Sequence, residues 1–233
     1  GRETFLVPVE WDADGWPVVN HGKPLQPVNK DTDFASLPQA AIANTAAKGF
    51  KAMGHEWLYI QNPDSSKYER RGSTLRLHGS KSSLTENDRP TFVGRRQQHA
   101  DMTVTVSLDA TLLKPGDEAG LTAYQIHDGH SEVLVGRADD GKLYATVRYR
   151  MKNLEKIEER VWLDRAKQLL VLRATPDNYE FLCGKDEKSL KSLGTIAPQL
   201  MSTEVVGGFT GVILGIYATG NGSADFKSFD YQH

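Results

Sequence analysis

At 233 residues with 39% apolar side chains, the chain is long enough to bury a substantial core as one domain. Lys and Arg number 28 against 30 Asp and Glu, a formal net charge of −2, so there is no basic field to steer nucleic acid or anionic lipid. No stretch approaches the roughly 20 apolar residues that cross a bilayer, the first residues lack a basic-then-apolar secretory pattern, and the single cysteine, Cys183, excludes an internal disulfide or a cysteine-based zinc site.

Residues 4–11 read as an extended segment with large apolar side chains, and Pro8 assigns it to an edge or irregular strand. Residues 20–38 are rich in Pro, Asp, Asn and Lys, with Pro24, Pro27 and Pro38 blocking regular helix, so they read as a linker or a surface-hugging tail. Helical spacing is weak and confined to 39–47 and 187–191. Trp57, Leu58, Tyr59 and Ile60 form a dense apolar cluster in which Trp57 is a core candidate. From 101 to 108, Met102, Val104, Val106 and Leu108 point one way and Thr103, Thr105 and Ser107 the other, the pattern of a half-buried antiparallel strand. Similar strands are expected near 120–127, 131–136, 142–150, 158–163, 168–174 and 179–183, separated by turn-forming pieces such as DDGK and TPDN. Cys183, within LCG, is expected to fill a small buried space. The run GVILGIY is apolar on both faces, as a central strand covered on each side would be, and ADFKSFDY restores alternation with Phe226 and Phe229 in the core. Short strands at this spacing favour an all-β sandwich of two antiparallel sheets over a parallel fold.

The opening GRETFLVPVEWDADGWPVVNHG resembles the closing strand and exit of the catalytic propeller in glycoside hydrolase family 43. EWLYIQNPD, STLRLHG, VGRRQQH, DEAGLTAYQ and the final GGFTGVILGIYATGNGSADFKSFDY then occur in the order found in the concanavalin A-like jelly-roll sandwich that follows that propeller in fungal β-xylosidases and arabinofuranosidases. That module resembles carbohydrate-binding module family 91. The resemblance implies a remnant of the last propeller strand at 1–19, a linker at 20–38 and a β-sandwich at 39–233. It further implies a noncatalytic, secreted module that binds xylan or xylo-oligosaccharides beside the catalytic propeller of its parent enzyme, with no required cofactor. The catalytic carboxylates of that family belong to earlier propeller blades.

Sugars are held by flat aromatic faces over C–H patches and by planar polar groups on hydroxyl pairs. Candidates of both kinds are Arg95, Gln97, Tyr124, Gln125, Tyr144 and Tyr149. Strand alternation sets Tyr124 against Gln125, and Tyr144 with Arg148 against Tyr149, so only part of the set can share one groove. Asp225, with Asp12, Asp14 and Asp31, offers oxygens for a candidate structural calcium, although the spacing is not that of an EF-hand. Asn221, Gly222 and Ser223 form an N-glycosylation sequon in a loop. Two alternatives stand beside the binding module. One is an accessory domain that packs on the propeller and lends a loop to the rim of its active site, exposing Phe5, Val7, Trp11 and Trp16 when isolated. The other is a jelly-roll polysaccharide lyase, in which Gln125 and His127 of QIH work with Arg95 or Arg96 and with Tyr231 and Gln232, although the expected tyrosine strand and arginine setting are missing.

Overall fold

The computed structural model describes residues 6–25, 50–51 and 53–233. Residues 6–25 belong to one compact unit and residues from 50 onward to another. The expected helix at 39–47, most of the expected linker, Phe5 and Asp31 lie outside the described residues.

In the smaller unit, β1 (Val9–Trp11) pairs antiparallel with β2 (Pro17–Val19). Asp12 makes the turn between them, its Oδ1 accepting from the backbone N–H of Asp14 at 3.0 Å and of Trp16 at 2.8 Å. Trp11 and Trp16 are 71% and 70% exposed.

The larger unit is a sandwich. Its strands are β3 (Tyr68–Arg71), β4 (Thr74–His78), β5 (Thr91–Arg96), β6 (Met102–Asp109), β7 (Glu118–Ile126), β8 (Gly129–Arg137) and β9 (Leu143–Met151). They continue with β10 (Leu154–Ile157), β11 (Val161–Leu163), β12 (Lys167–Ala174), β13 (Tyr179–Gly184), β14 (Lys191–Ile196), β15 (Ile213–Thr219) and β16 (Ser223–Gln232). Sheet I runs β10-β9-β8-β7-β15-β5, with β11 also on β9; sheet II runs β14-β13-β12-β6-β16-β4-β3. Every pairing within the two sheets is antiparallel.

The core lies between the sheets. Val104, Val106 and Leu108 of β6, Leu170 and Leu172 of β12 and Phe181 of β13 meet Leu121, Val133, Val147 and Ile216 from sheet I. Each such side chain contributes roughly 1.5–3 kcal/mol by leaving water, which is what sets the register of strands whose other face is polar. Trp57 packs at the edge of this core, its ring 5.4 Å from Phe50 and 5.2 Å from Phe229.

The strands expected from alternation all form, within a few residues at the ends, except that only Val161–Leu163 of the 158–163 segment is strand. GVILGIY is the heart of β15, flanked by β7 and β5 and buried on both faces. In β16 the alternation does not run straight through: a bulge between Phe226 and Ser228 leaves Lys227 exposed. That extra residue lets Phe226 and Phe229, three apart, both reach the core. The 187–191 segment holds one tight helical turn, Glu187–Ser189, boxed by Asp186, and then becomes β14.

One edge of sheet I is broken. β10 and β11 both pair with β9 but are separated by residues 158–160. Thr146 Oγ1 donates to the Glu158 carbonyl at 2.7 Å, and the Arg160 guanidinium folds back 4.1 Å over the Tyr144 ring.

Candidate functional site

Sheet I carries charges inside apolar runs: Glu118 on β7, Glu132 on β8 and Arg148 on β9, with Tyr217 on β15. Register places Thr122, Glu132 and Arg148 side by side across three strands, all on the face away from the core. Arg148 bonds the Glu118 carboxylate through Nη2, and its Nε lies 3.7 Å from Glu132 Oε1. His130 Nδ1 lies 2.7 Å from Glu132 Oε2. His130 is fully buried and Glu132 is 1% exposed. Burial works against the charge on Arg148, but Tyr217, Glu132 and Glu118 outweigh it and its pKa rises. Burial, with Glu132 adding to it, holds the Tyr217 phenol well above its usual range.

This outer face is covered rather than open. Leu84, from the loop between β4 and β5, joins Phe92, Tyr124, Leu134, Tyr144 and Tyr217 in a second buried cluster. Cleaving a glycosidic bond needs two carboxylates roughly 5–10 Å apart with substrate between them. Here Arg148 engages both carboxylates, and Glu132 is sealed. The cluster ties β7, β8 and β9 together.

The expected sugar groove is therefore corrected. Tyr124, Tyr144, Tyr149 and Gln125 are all less than a tenth exposed. Tyr124 packs 5.5 Å from Phe92 and 6.0 Å from His130, with its hydroxyl pushed up to about 12 by burial. Tyr144 lies under Arg160, with Trp162 edge-on at 6.1 Å. Tyr149 points into the core beside Phe181. Tyr124 and Tyr144 do share the outer face, but lie at opposite ends of their strands, opposite His130 and Gly136 respectively. Arg95 reaches the Trp57 ring, its guanidinium carbon 5.8 Å from the centroid, and Gln97 bonds Tyr179 Oη at 2.6 Å and the His99 carbonyl at 2.9 Å. The six candidates thus scatter over both faces of sheet I and do not form one groove.

Gln125 has a different task. A bulge between Tyr124 and Ile126 frees it to donate from Nε2 to the Gly207 carbonyl at 3.3 Å. Arg96 bonds the Thr210 carbonyl from the other side. Together they hold the 207–211 loop, in which Gly207, Gly208 and Gly211 take positive φ and Phe209 stands 67% exposed. The lyase constellation does not assemble, because Gln125 and His127 follow sheet I while Tyr231 belongs to β16 of sheet II. Tyr231 Oη is bonded there by the N–H groups of Gln98 and His99, each at 3.1 Å.

Asp225 is no calcium ligand: Arg76 grips both its oxygens, at 2.6 and 2.7 Å. Asp12 is occupied by its own turn, and no group of three or more metal-binding side chains occurs among the described residues. Asn221 is exposed in the β15–β16 turn, its backbone N–H donating to Asp117 Oδ1 at 2.9 Å. Cys183 is buried, its thiol pushed up to about 12, so it is unreactive at neutral pH.

Alternation alone did not single out the Glu118, Glu132 and Arg148 cluster. Its signal is opposite charges placed in consecutive apolar segments, EAGLTAYQ, HSEVLVGR and LYATVRYR.

Residues 50–232 match the family model of the β-xylosidase C-terminal concanavalin A-like domain. Across its whole length the chain is 34% identical to a non-reducing end α-L-arabinofuranosidase of Bacteroides ovatus, of which it covers 45%, and 26% identical to a xylosidase/arabinosidase of Butyrivibrio fibrisolvens, of which it covers 46%. Among solved structures, the family 43 protein BlXynB of Bacillus licheniformis superposes with a TM-score of 0.86 at 25% identity, with all of this chain and 47% of that one covered. These named relatives are bacterial, not fungal, and the chain spans less than half the length of the curated relatives it matches. The chain belongs to the family of C-terminal concanavalin A-like domains found in glycoside hydrolases of family 43.

Proposed function

We propose that the chain is the noncatalytic C-terminal part of an extracellular family 43 hydrolase acting on xylose- and arabinose-containing polysaccharide, and that its main work is to support the catalytic propeller and complete the rim of its active site. The observation that carries this reading is the 207–211 loop. An exposed phenylalanine costs free energy in water, and a loop clamped by Gln125 and Arg96 holds it out in a fixed pose. Exposed Trp11 and Trp16 on the β1–β2 hairpin supply further apolar surface for a neighbouring domain. In the parent enzyme, Phe209→Ala is expected to lower kcat/KM on a short xylo-oligosaccharide by about tenfold or more, with the thermal midpoint unchanged. Unaltered kinetics would remove the loop from the active site.

A second role, binding of xylan-type chains in the manner of carbohydrate-binding module family 91, is favoured by one open feature. A cleft of about 310 Å3 beside β3 carries a half-exposed tyrosine, Tyr59.

A further inference from the structure

The β3 edge of sheet II forms one wall of this cleft. Its lining includes Met53, Tyr59, Pro63, Ser65, Tyr68 and Arg70. Tyr68 is fixed, since its hydroxyl donates to the Phe92 carbonyl and accepts from the Phe92 N–H, each at 3.0 Å. Tyr59 stands edge-on to it, ring centroids 5.2 Å apart and planes at 88°, and remains 40% exposed. Burial holds its phenol above the usual range, so it is neutral at working pH.

Among the described residues of that lining, Arg70 is the one charged side chain. On β3 it follows the same alternation as Tyr68, while its neighbours Glu69 and Arg71 lie on the other face and bond each other at 2.8 and 3.1 Å. Among the described residues Arg70 has no hydrogen bond or ion pair. An apolar wall with a flat aromatic ring and one unengaged guanidinium suits a ligand with a C–H face and a single carboxylate. A guanidinium presents a planar fork of donors, which matches a carboxylate better than scattered hydroxyls.

We propose that this cleft binds a uronate-bearing pyranose, the acidic sugar of a substituted hemicellulose chain, with its ring on Tyr59 and its carboxylate on Arg70. This rests on the polysaccharide-binding role above and names its site and ligand class.

The test is calorimetric titration of the chain with xylotetraose carrying one glucuronic acid branch and with plain xylotetraose. The acidic sugar is expected to bind about tenfold or more tightly than the neutral one, and that preference is expected to weaken as salt rises. Arg70→Met is expected to abolish the preference at an unchanged thermal midpoint, Arg70→Lys to restore part of it, and Tyr59→Ala to weaken both sugars. Equal binding of the two sugars, or a preference that survives Arg70→Met, overturns the site while leaving polysaccharide binding in place. No heat with either sugar overturns both.

Discussion

The two sheets have the same strand type and share one core, yet their outer faces differ. On sheet II the outer side chains follow plain alternation: Thr103, Thr105 and Ser107 on β6 are half-exposed and polar. Its main ion pair, Arg76 with Asp225, keeps some contact with water. On sheet I the outer face is also buried: His130 and Glu132 are sealed there, while Arg148 and Glu118 keep about as much exposure as Arg76 and Asp225. The same residue types therefore carry different energies according to what covers them. A partly hydrated pair gives up little water to form. A sealed charge has no alternative partner once its own is lost.

Truncating one arginine on each face is the most direct way to break this contrast. Arg148→Met leaves Glu132, the sealed carboxylate, with His130 alone and is expected to cost about 3–5 kcal/mol in urea unfolding. Arg76→Met on sheet II is expected to cost about 1–2 kcal/mol, and equal losses would erase the distinction. Between these falls Leu84→Ala, which thins the cover of sheet I and is expected to cost about 2–4 kcal/mol.

The smallest effect at neutral pH is expected from Tyr217→Phe. Among the described residues the Tyr217 hydroxyl is buried without a hydrogen-bond partner, so its removal loses no bond and is expected to raise stability by up to about 1 kcal/mol. Alkaline titration sharpens that result. The folded state holds this phenol neutral well above its usual pKa, and Tyr68, Tyr124 and Tyr179 are pushed up to about 12, in each case by burial first. Their contribution is full below the unfolded pKa of about 10 and is lost as pH climbs from there toward the folded values. The thermal midpoint should therefore hold to about pH 9.5 and then fall, less steeply in Tyr217→Phe.

Legibility followed the same divide. β6 was readable because one face is apolar and the other polar, and β15 because both are apolar. The tyrosines misled because a strand tyrosine looks the same in sequence whether it meets solvent or lies beneath a distant loop. Tyr124 and Tyr144 became core residues through Leu84 and Arg160, 40 and 16 positions away, and no periodicity links such pairs. Asp225 misled in the same way: its partner Arg76 lies 149 residues earlier and meets it only because β16 lies beside β4. The order of segments along the chain is informative as well, since it carries the family resemblance that agrees with the sandwich expected from strand spacing.

The interrupted border of sheet I bears on how such a module behaves at high concentration. A long straight border strand offers a ladder of free N–H and C=O groups on which another molecule can grow. Here that border is two short pieces, β10 and β11, offset by the Glu158–Arg160 bend and bearing Glu155 and Lys156, so an incoming strand finds no continuous template. Although Leu154, Ile157, Val161 and Trp162 are exposed along it, stacking into fibrils is disfavoured there.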